Sequence, residues 1–364
     1  MKDIQPLESW SVVKNGGPIA IAGPCSAESE DQLMETCRQI TKEIDITMLR
    51  AGIWKPRTRP GSFEGIGEEG LKWFANVKKE LNMPITTEVA NAQHVELALK
   101  YGVDVLWIGA RSTVNPFTIQ EIADALKGVK DVPVMIKNPI NPDVALWKGA
   151  IERIYGAGVR QIAGIHRGFS SFEKTQYRNV PMWKLAIALK TELPNLPLIC
   201  DPSHIGGTRD LIYPVSQKAI DLDFDGLMIE THRDPDNAWS DASQQVTPKR
   251  LAEILNEVKI KKSTTDAEEV NSQLETLRSK IDRLDNELLE VLSQRMKVVN
   301  EIGDYKRDNN LTVFQAGRWI DIFQNRPEQA EKLGLSKTFM EQVFKLVHDE
   351  SIRLQTAVVN TEKA

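Results

Sequence analysis

A (β/α)8 barrel of the TIM type over residues 1–260, followed by an all-α helical domain at 267–364, is the architecture that this 364-residue sequence predicts. Three features predict it. Eight short apolar runs alternate with eight stretches long enough for a helix, and nearly every run ends in a polar, mostly charged cluster. Beyond KIKKSTTD (259–266) the alternation stops, and one uninterrupted helical pattern follows. Repeated units of about 30 residues imply a parallel sheet, and eight of them are the usual number that closes into a barrel with helices outside. A doubly wound open sheet is the competing arrangement, but it would not collect residues from eight strands at one place.

In chain order the strands are expected at 19–22, 46–49, 84–87, 105–108, 133–136, 161–165, 197–200 and 226–229, each a short apolar run that reads as a buried parallel strand. The helices that follow them are expected at 29–43, 67–81, 91–101, 115–127, 143–155, 181–190, 209–220 and 247–258. The clusters after the strands are Cys25-Ser26, the segment 50–57, Glu88, Arg111, Lys137, His166-Arg167, 201–204 and 230–232. They fall at the C-terminal strand ends, where barrel active sites form. Residues 261–266 read as a linker. From 267 to 307 there is no proline and only Gly303, which at 1.5 Å per residue gives roughly 60 Å of helix. Two further helices are expected at 315–333 and 336–359. So long a helix cannot bury its apolar stripe within a domain of its own size, so pairing into a homodimer through the helical domain is expected.

A net charge of −5 and a pI near 5.7 offer no broad attraction to nucleic acid or to an anionic membrane. Residues 1–10 lack the pattern of a signal peptide, and no apolar run approaches the ~20 residues that span a bilayer, so a cytoplasmic location is expected. Cys25, Cys37 and Cys200 form an odd, widely spaced set that argues against a disulfide framework.

Arg50, Lys55, Arg57, Arg111, Lys137 and Arg167 all stand at or just past strand ends. Singly, each would read as a solvated surface residue. Gathered in one barrel mouth they repel one another unless anions occupy it, so a substrate with more than one phosphate or carboxylate is expected. Cys25, His204, Glu230 and Asp241 could bind one divalent metal, and thiolate, imidazole and carboxylate together are compatible with Mn, Fe, Co or Zn. The competing reading makes Cys25 a small buried residue and His204 a satisfied strand-end histidine. His232, two residues beyond Glu230, falls on the same side of the strand as a group behind the ligands.

The strings AGPCSAES (22–29), LRAGIWKPRTRPGSF (49–63), IGARS (108–112), DPSH (201–204) and IETHRDPDNAWSDASQQ (229–245) resemble 3-deoxy-D-arabino-heptulosonate 7-phosphate (DAHP) synthase. The resemblance covers residues 18–260 and points to the compact type I-beta subtype. It implies condensation of phosphoenolpyruvate with erythrose 4-phosphate. Cys25, His204, Glu230 and Asp241 match the metal ligands of that family. Arg50, Lys55, Arg111, Lys137 and Arg167 match the phosphoenolpyruvate site, and Arg57 and Thr58 the erythrose phosphate site. Glu88 would orient Lys137 or a water, and either Lys137 or a metal-bound water would protonate the new alkoxide. The related 3-deoxy-D-manno-octulosonate 8-phosphate synthases share the barrel and the Gly-Pro-Cys start, but KPRT (55–58) differs from their matching segment.

In the helical domain Val291, Leu292, Arg295, Val299, Ile302 and Lys306 point within about 60° of Leu288, so two cations sit on an apolar stripe. Burying unpaired charge costs several kcal/mol, so Arg295 and Lys306 call for an anionic partner, either a ligand or a neighbouring Glu. The segment 277–355 resembles the all-helical class of chorismate mutase at Arg278, Arg295, Lys306, Arg318, Ser351 and Gln355. That resemblance implies chorismate as substrate, with Arg278 reaching the pocket of the partner subunit. Two positions depart from the family pattern: Trp319 stands where Glu is common and Gln315 where Asp is common. The competing reading is a regulatory and dimerising module with little turnover. Fusion of the two domains suggests feedback on the barrel by prephenate or chorismate.

Overall fold

The structure, a computed structural model, describes residues 1–14, 17–55, 61, 63–261 and 267–360, without the side chains of Arg318 and Asp321. The chain forms two compact units, Met1–Ser263 and Thr264–Ala364. Past residue 261 the expected linker lies outside the described residues.

The first unit is a closed barrel of eight parallel strands in sequence order. They are β1 (Ile19–Gly23), β2 (Met48–Arg50), β3 (Ile85–Val89), β4 (Val105–Ile108), β5 (Val134–Lys137), β6 (Ile162–His166), β7 (Leu198–Cys200) and β8 (Gly226–Glu230). Strand β1 closes the ring by pairing with β8 from Ile19↔Gly226 to Gly23↔Glu230. Around the barrel run α1 (Glu30–Glu43), α2 (Glu68–Leu81), α3 (Ala92–Lys100), α4 (Ala110–Thr113), α5 (Pro116–Ala125), α6 (Val144–Gly156), α7 (Trp183–Glu192), α8 (Pro202–Gly206), α9 (Ile212–Asp221) and α10 (Pro248–Glu257). Several predicted helices begin one residue early because their first residue is the cap: the side chains of Ser29, Asn91, Asn115, Asp143 and Thr247 accept first-turn backbone N–H groups.

Successive strand residues face opposite sides, which sorts the core into two shells. Ile21, Met48, Val105, Met135, Ile165, Ile199 and Met228 fill the barrel, while Leu49, Ile85, Leu106, Ile136, Leu198 and Ile229 pack under the helices. The interior cluster also takes Leu7, Trp10 and Val12 from the N-terminal segment. That segment is tied to the N-terminal ends of the strands, since Gln5 N–H donates to Arg160 O and the Asn195 amide donates to Lys2 O.

The polar clusters begin inside the strands. Arg50, Glu88, Lys137, His166 and Glu230 lie within β2, β3, β5, β6 and β8. The two-residue period that turns Met48, Met135, Ile165 and Met228 inward carries Arg50, Lys137, Arg167 and Glu230 inward one layer higher. His166 is turned the other way. It is fully buried among Trp147, Phe169, Trp183 and Phe224, outside the mouth where the sequence reading placed it with Arg167.

The second unit holds α11 (Glu268–Asp308), α12 (Ala316–Lys332) and α13 (Lys337–Val359). Helix α13 packs on both others. Gly303 lets it come close to α11, because a Cβ there would lie 3.1 Å from Val358 Cβ. Among the described residues no helix is long and apolar enough to cross a membrane.

Candidate active sites

At the barrel mouth the sequence-predicted metal set is partly assembled. Donor atoms of Cys25, Glu230 and Asp241 lie within 4.8 Å of one another. Cys25 Sγ is 3.4 Å from Asp241 Oδ2. Buried Glu230 Oε1 lies 3.2 Å from Arg50 Nη1 and 3.8 Å from His204 Nε2, with no hydrogen bond completed among the described residues. His204 sits on α8, a short helix the sequence reading left as loop, and its Nδ1 lies 2.8 Å from Asp201 Oδ2. Asp201 caps α8 by accepting from His204 N–H. A thiol and two carboxylates gathered at one spot, with an imidazole nitrogen 3.8 Å from one of the carboxylates and a buried carboxylate oxygen lacking a hydrogen-bond donor, fit a divalent cation.

The cations surround this cluster. Lys55 Nζ donates to Cys25 O at 2.5 Å and lies 3.3 Å from its Sγ. Arg50, fully buried, donates to Cys25 O at 3.2 Å. Lys137 Nζ pairs with Asp201 Oδ2 at 2.8 Å. The Trp107 ring lies under both Arg50 and Lys137, 4.8 and 5.9 Å from its centroid, and its indole N–H donates to Glu88 Oε2 at 3.2 Å. Trp107 thus contacts both Glu88 and Lys137. Arg167 donates to Asn179 Oδ1, while its own N–H is held by Asn138 Oδ1. Arg111 is exposed at the start of α4. Arg57 and Thr58 lie outside the described residues.

Burial, with the Glu230 charge next, pushes the Cys25 thiol up to about 12. Burial also works to raise the carboxyls of Asp201, Glu230 and Asp241, but neighbouring charges outweigh it and hold all three below the usual range: His204 for each, with Lys137, Arg50 and Arg178 respectively. Burial lowers the Arg167 guanidinium to about 10.

Several groups around the site were not singled out from sequence. Gln245 binds Cys25 N–H with its side-chain oxygen and Ser240 O with its side-chain N–H. Gln244 donates to Glu230 Oε2 at 2.6 Å, and Arg178 bridges Gln244 and Asp241. His232, which the sequence did single out, accepts from Asp234 N–H at Nδ1, and its Nε2 lies 3.5 Å from Glu28. Glu28 in turn accepts from Trp239 N–H. These contacts clamp the loop carrying Asp241 onto the loop carrying Cys25. Amides and backbone contacts carry no charge pattern, so only the ordered string around Asp241 could have signalled them.

In the helical unit Arg295 donates to Ser351 Oγ at 2.7 Å. Lys306, buried, donates to Val313 O and to Gln355 Oε1 at 2.9 Å. Both of those acceptors are neutral oxygens, and burial lowers the Lys306 ammonium. Arg278 lies far along α11, exposed and paired with Glu275. Gln315 is exposed before α12, and the Arg318 side chain lies outside the description. Trp319 packs edge-to-face on His348 at 4.0 Å, a contact that sequence did not foretell.

Comparison with known proteins agrees with both halves. Residues 10–267 match the DAHP synthetase I family, and residues 277–356 match chorismate mutase type II. A phospho-2-dehydro-3-deoxyheptonate aldolase of Thermotoga maritima is 33% identical over 68% of this chain and 70% of its own. A crystal structure of DAHP synthase from Thermotoga maritima superposes with a TM-score of 0.60 at 30% identity, covering 68% of this chain and 69% of that one. A 2-dehydro-3-deoxyphosphooctonate aldolase of Rickettsia typhi is 28% identical over 72% of this chain and 97% of its own.

Proposed function

The chain belongs to the DAHP synthetase I family and carries a type II chorismate mutase domain, and from that premise we propose how its residues run the two reactions. Its barrel condenses phosphoenolpyruvate with erythrose 4-phosphate; its helical domain rearranges chorismate to prephenate. We assign the synthase to residues 1–260, the mutase to 267–364 and the linker to 261–266.

The observation that carries the synthase reading is the gathering of Arg50, Lys55 and Lys137 around the Cys25–Glu230–Asp241 cluster and its neighbour Asp201, with the buried Arg167 within reach of the Asp201 and Asp241 charges. Arg50, Lys55, Lys137, Arg167 and Arg111 would hold the carboxylate and phosphate of phosphoenolpyruvate, and Arg57 with Thr58 the phosphate of the aldose. A divalent metal held by Cys25, His204, Glu230 and Asp241, from among Mn, Fe, Co and Zn, would supply Lewis-acid polarisation of the aldehyde oxygen. Carbon three of the enol phosphate forms the new bond to the aldehyde carbon. Lys137, held by Asp201, delivers a proton to the oxygen left by that attack. Water adds at carbon two, and loss of phosphate leaves the ketone.

In the mutase the reaction is pericyclic and needs no nucleophile, so binding geometry does the work. Arg295, Arg318 and the partner subunit's Arg278 would fix the two carboxylates, with Ser351, Gln355 and Gln315 completing the site. Lys306 would donate to the ether oxygen. The neutral acceptors of Lys306 support this, since its charge keeps a place for an anionic or electron-rich ligand.

Feedback joins the units. Prephenate or chorismate bound at Arg295 would slow the barrel through differential affinity for two states of the chain. Three unpaired, buried cysteines accord with a cytoplasmic setting. The test is the initial rate of phosphoenolpyruvate consumption with erythrose 4-phosphate and Mn, titrated with prephenate. Inhibition that disappears in Arg295→Ala together with mutase turnover is expected; inhibition retained in that variant places the effector elsewhere. Chelation should abolish the synthase and Mn restore it, and full activity in chelator sinks the metal reading.

A further inference from the structure

One polar group of the helical unit has no part in the roles assigned so far. His348 lies on α13 one turn before Ser351, so the two side chains share a face of that helix. Ser351 accepts the hydrogen bond from Arg295, and the Arg295 charge is felt at the His348 ring. One flank of the imidazole is the Trp319 ring on α12, with Phe314 6.4 Å away. His348 Nε2 is buried and has no hydrogen-bond partner among the described residues.

A buried polar atom without a partner is costly, and such atoms in folded proteins are commonly completed by a ligand or water. Burial holds the imidazole below its usual range, so the ring is neutral at pH 7 and offers one nitrogen as donor and one as acceptor. Of the side chains assigned to the mutase site above, Arg295 and Lys306 are cations suited to carboxylates and an ether oxygen, and they contact Ser351 and Gln355 on the helix that carries His348. Chorismate carries one further polar group, a hydroxyl, and a neutral imidazole is the matching chemistry.

We propose that His348 is a substrate-binding residue of the mutase site, its Nε2 exchanging a hydrogen bond with the hydroxyl of the bound dicarboxylate. The inference rests on the mutase reading above. Trp319 packs edge-to-face against the imidazole and so fixes the plane of the ring.

The test uses the full chain and a bicyclic ether dicarboxylate that mimics the rearrangement transition state, prepared with and without its hydroxyl. Calorimetric titration should show wild type preferring the hydroxylated compound by about tenfold, the scale of one well-made hydrogen bond. His348→Leu should bring the two affinities together by weakening the hydroxylated compound alone, and His348→Asn should restore part of the difference. A preference that survives in His348→Leu, or an equal loss for both compounds, overturns the proposal while leaving the mutase reading standing. Failure of wild type to bind either compound overturns both. Far-ultraviolet circular dichroism monitors folding, and should the Leu variant lose its helices, His348→Phe carries the same comparison.

Discussion

His166 shows how one residue's direction decides its role. It ends β6 directly before Arg167, so the alternation that sends Arg167 into the mouth sends His166 under the helices. There burial pushes the imidazole down from its usual 6.5 to about 3. Because the folded value lies below the unfolded one, the unfolded chain binds the extra proton between them. Stability from this group is therefore whole above pH 6.5 and is lost as pH falls toward 3. Between pH 7 and pH 5 the loss is about 2 kcal/mol. In urea titrations His166→Leu should lose that much less stability than wild type over the same interval. An identical loss in both proteins would show that the ring is not held neutral.

At the scale of elements, strands and long helices were legible because their periods are, and the charges at strand ends marked the mouth. The strand bounds shifted because Arg50, Lys137 and Glu230 remain in the hydrogen-bonded ladder even though their side chains are polar. Helices α4 and α8 were not legible, since four or five residues carry no period, and α8 is what brings His204 to Asp201. The site's cations and Glu230 could be read as charges at strand ends, and Cys25 and His204 as members of the polar clusters there, whereas Trp107 and Gln245 could not, because an aromatic or an amide there looks like core or loop. Nor did the N-terminal segment announce itself: Leu7, Trp10 and Val12 have no repeat, yet they join the barrel interior. Trp10 is only 1% exposed. Trp10→Ala should cost about 3–5 kcal/mol in chemical denaturation. A cost below about 1 kcal/mol, typical of a surface site, would mean that the segment does not close the barrel.

The whole molecule poses a question that a single chain cannot answer for itself. Along α11, Val270, Leu274, Leu277, Ile281, Leu284, Leu288 and Val291 recur at alternating spacings of four and three, which keeps them on one seam of a coiled coil. In the single chain every one of them is at least 43% exposed. Burying such a side chain fully yields about 1.5–3 kcal/mol, so a seam this long holds enough energy to pair two chains tightly. Ile281→Glu with Leu284→Glu should turn a dimer into a monomer by sedimentation at micromolar concentration. If the partner's Arg278 completes each mutase site, that monomer loses mutase turnover, while the barrel, whose Arg50, Lys55, Lys137 and Arg167 all come from one chain, keeps synthase turnover. Mutase turnover undiminished in the monomer would remove Arg278 from the site, and a wild-type monomer would leave the apolar seam of α11 to some other partner.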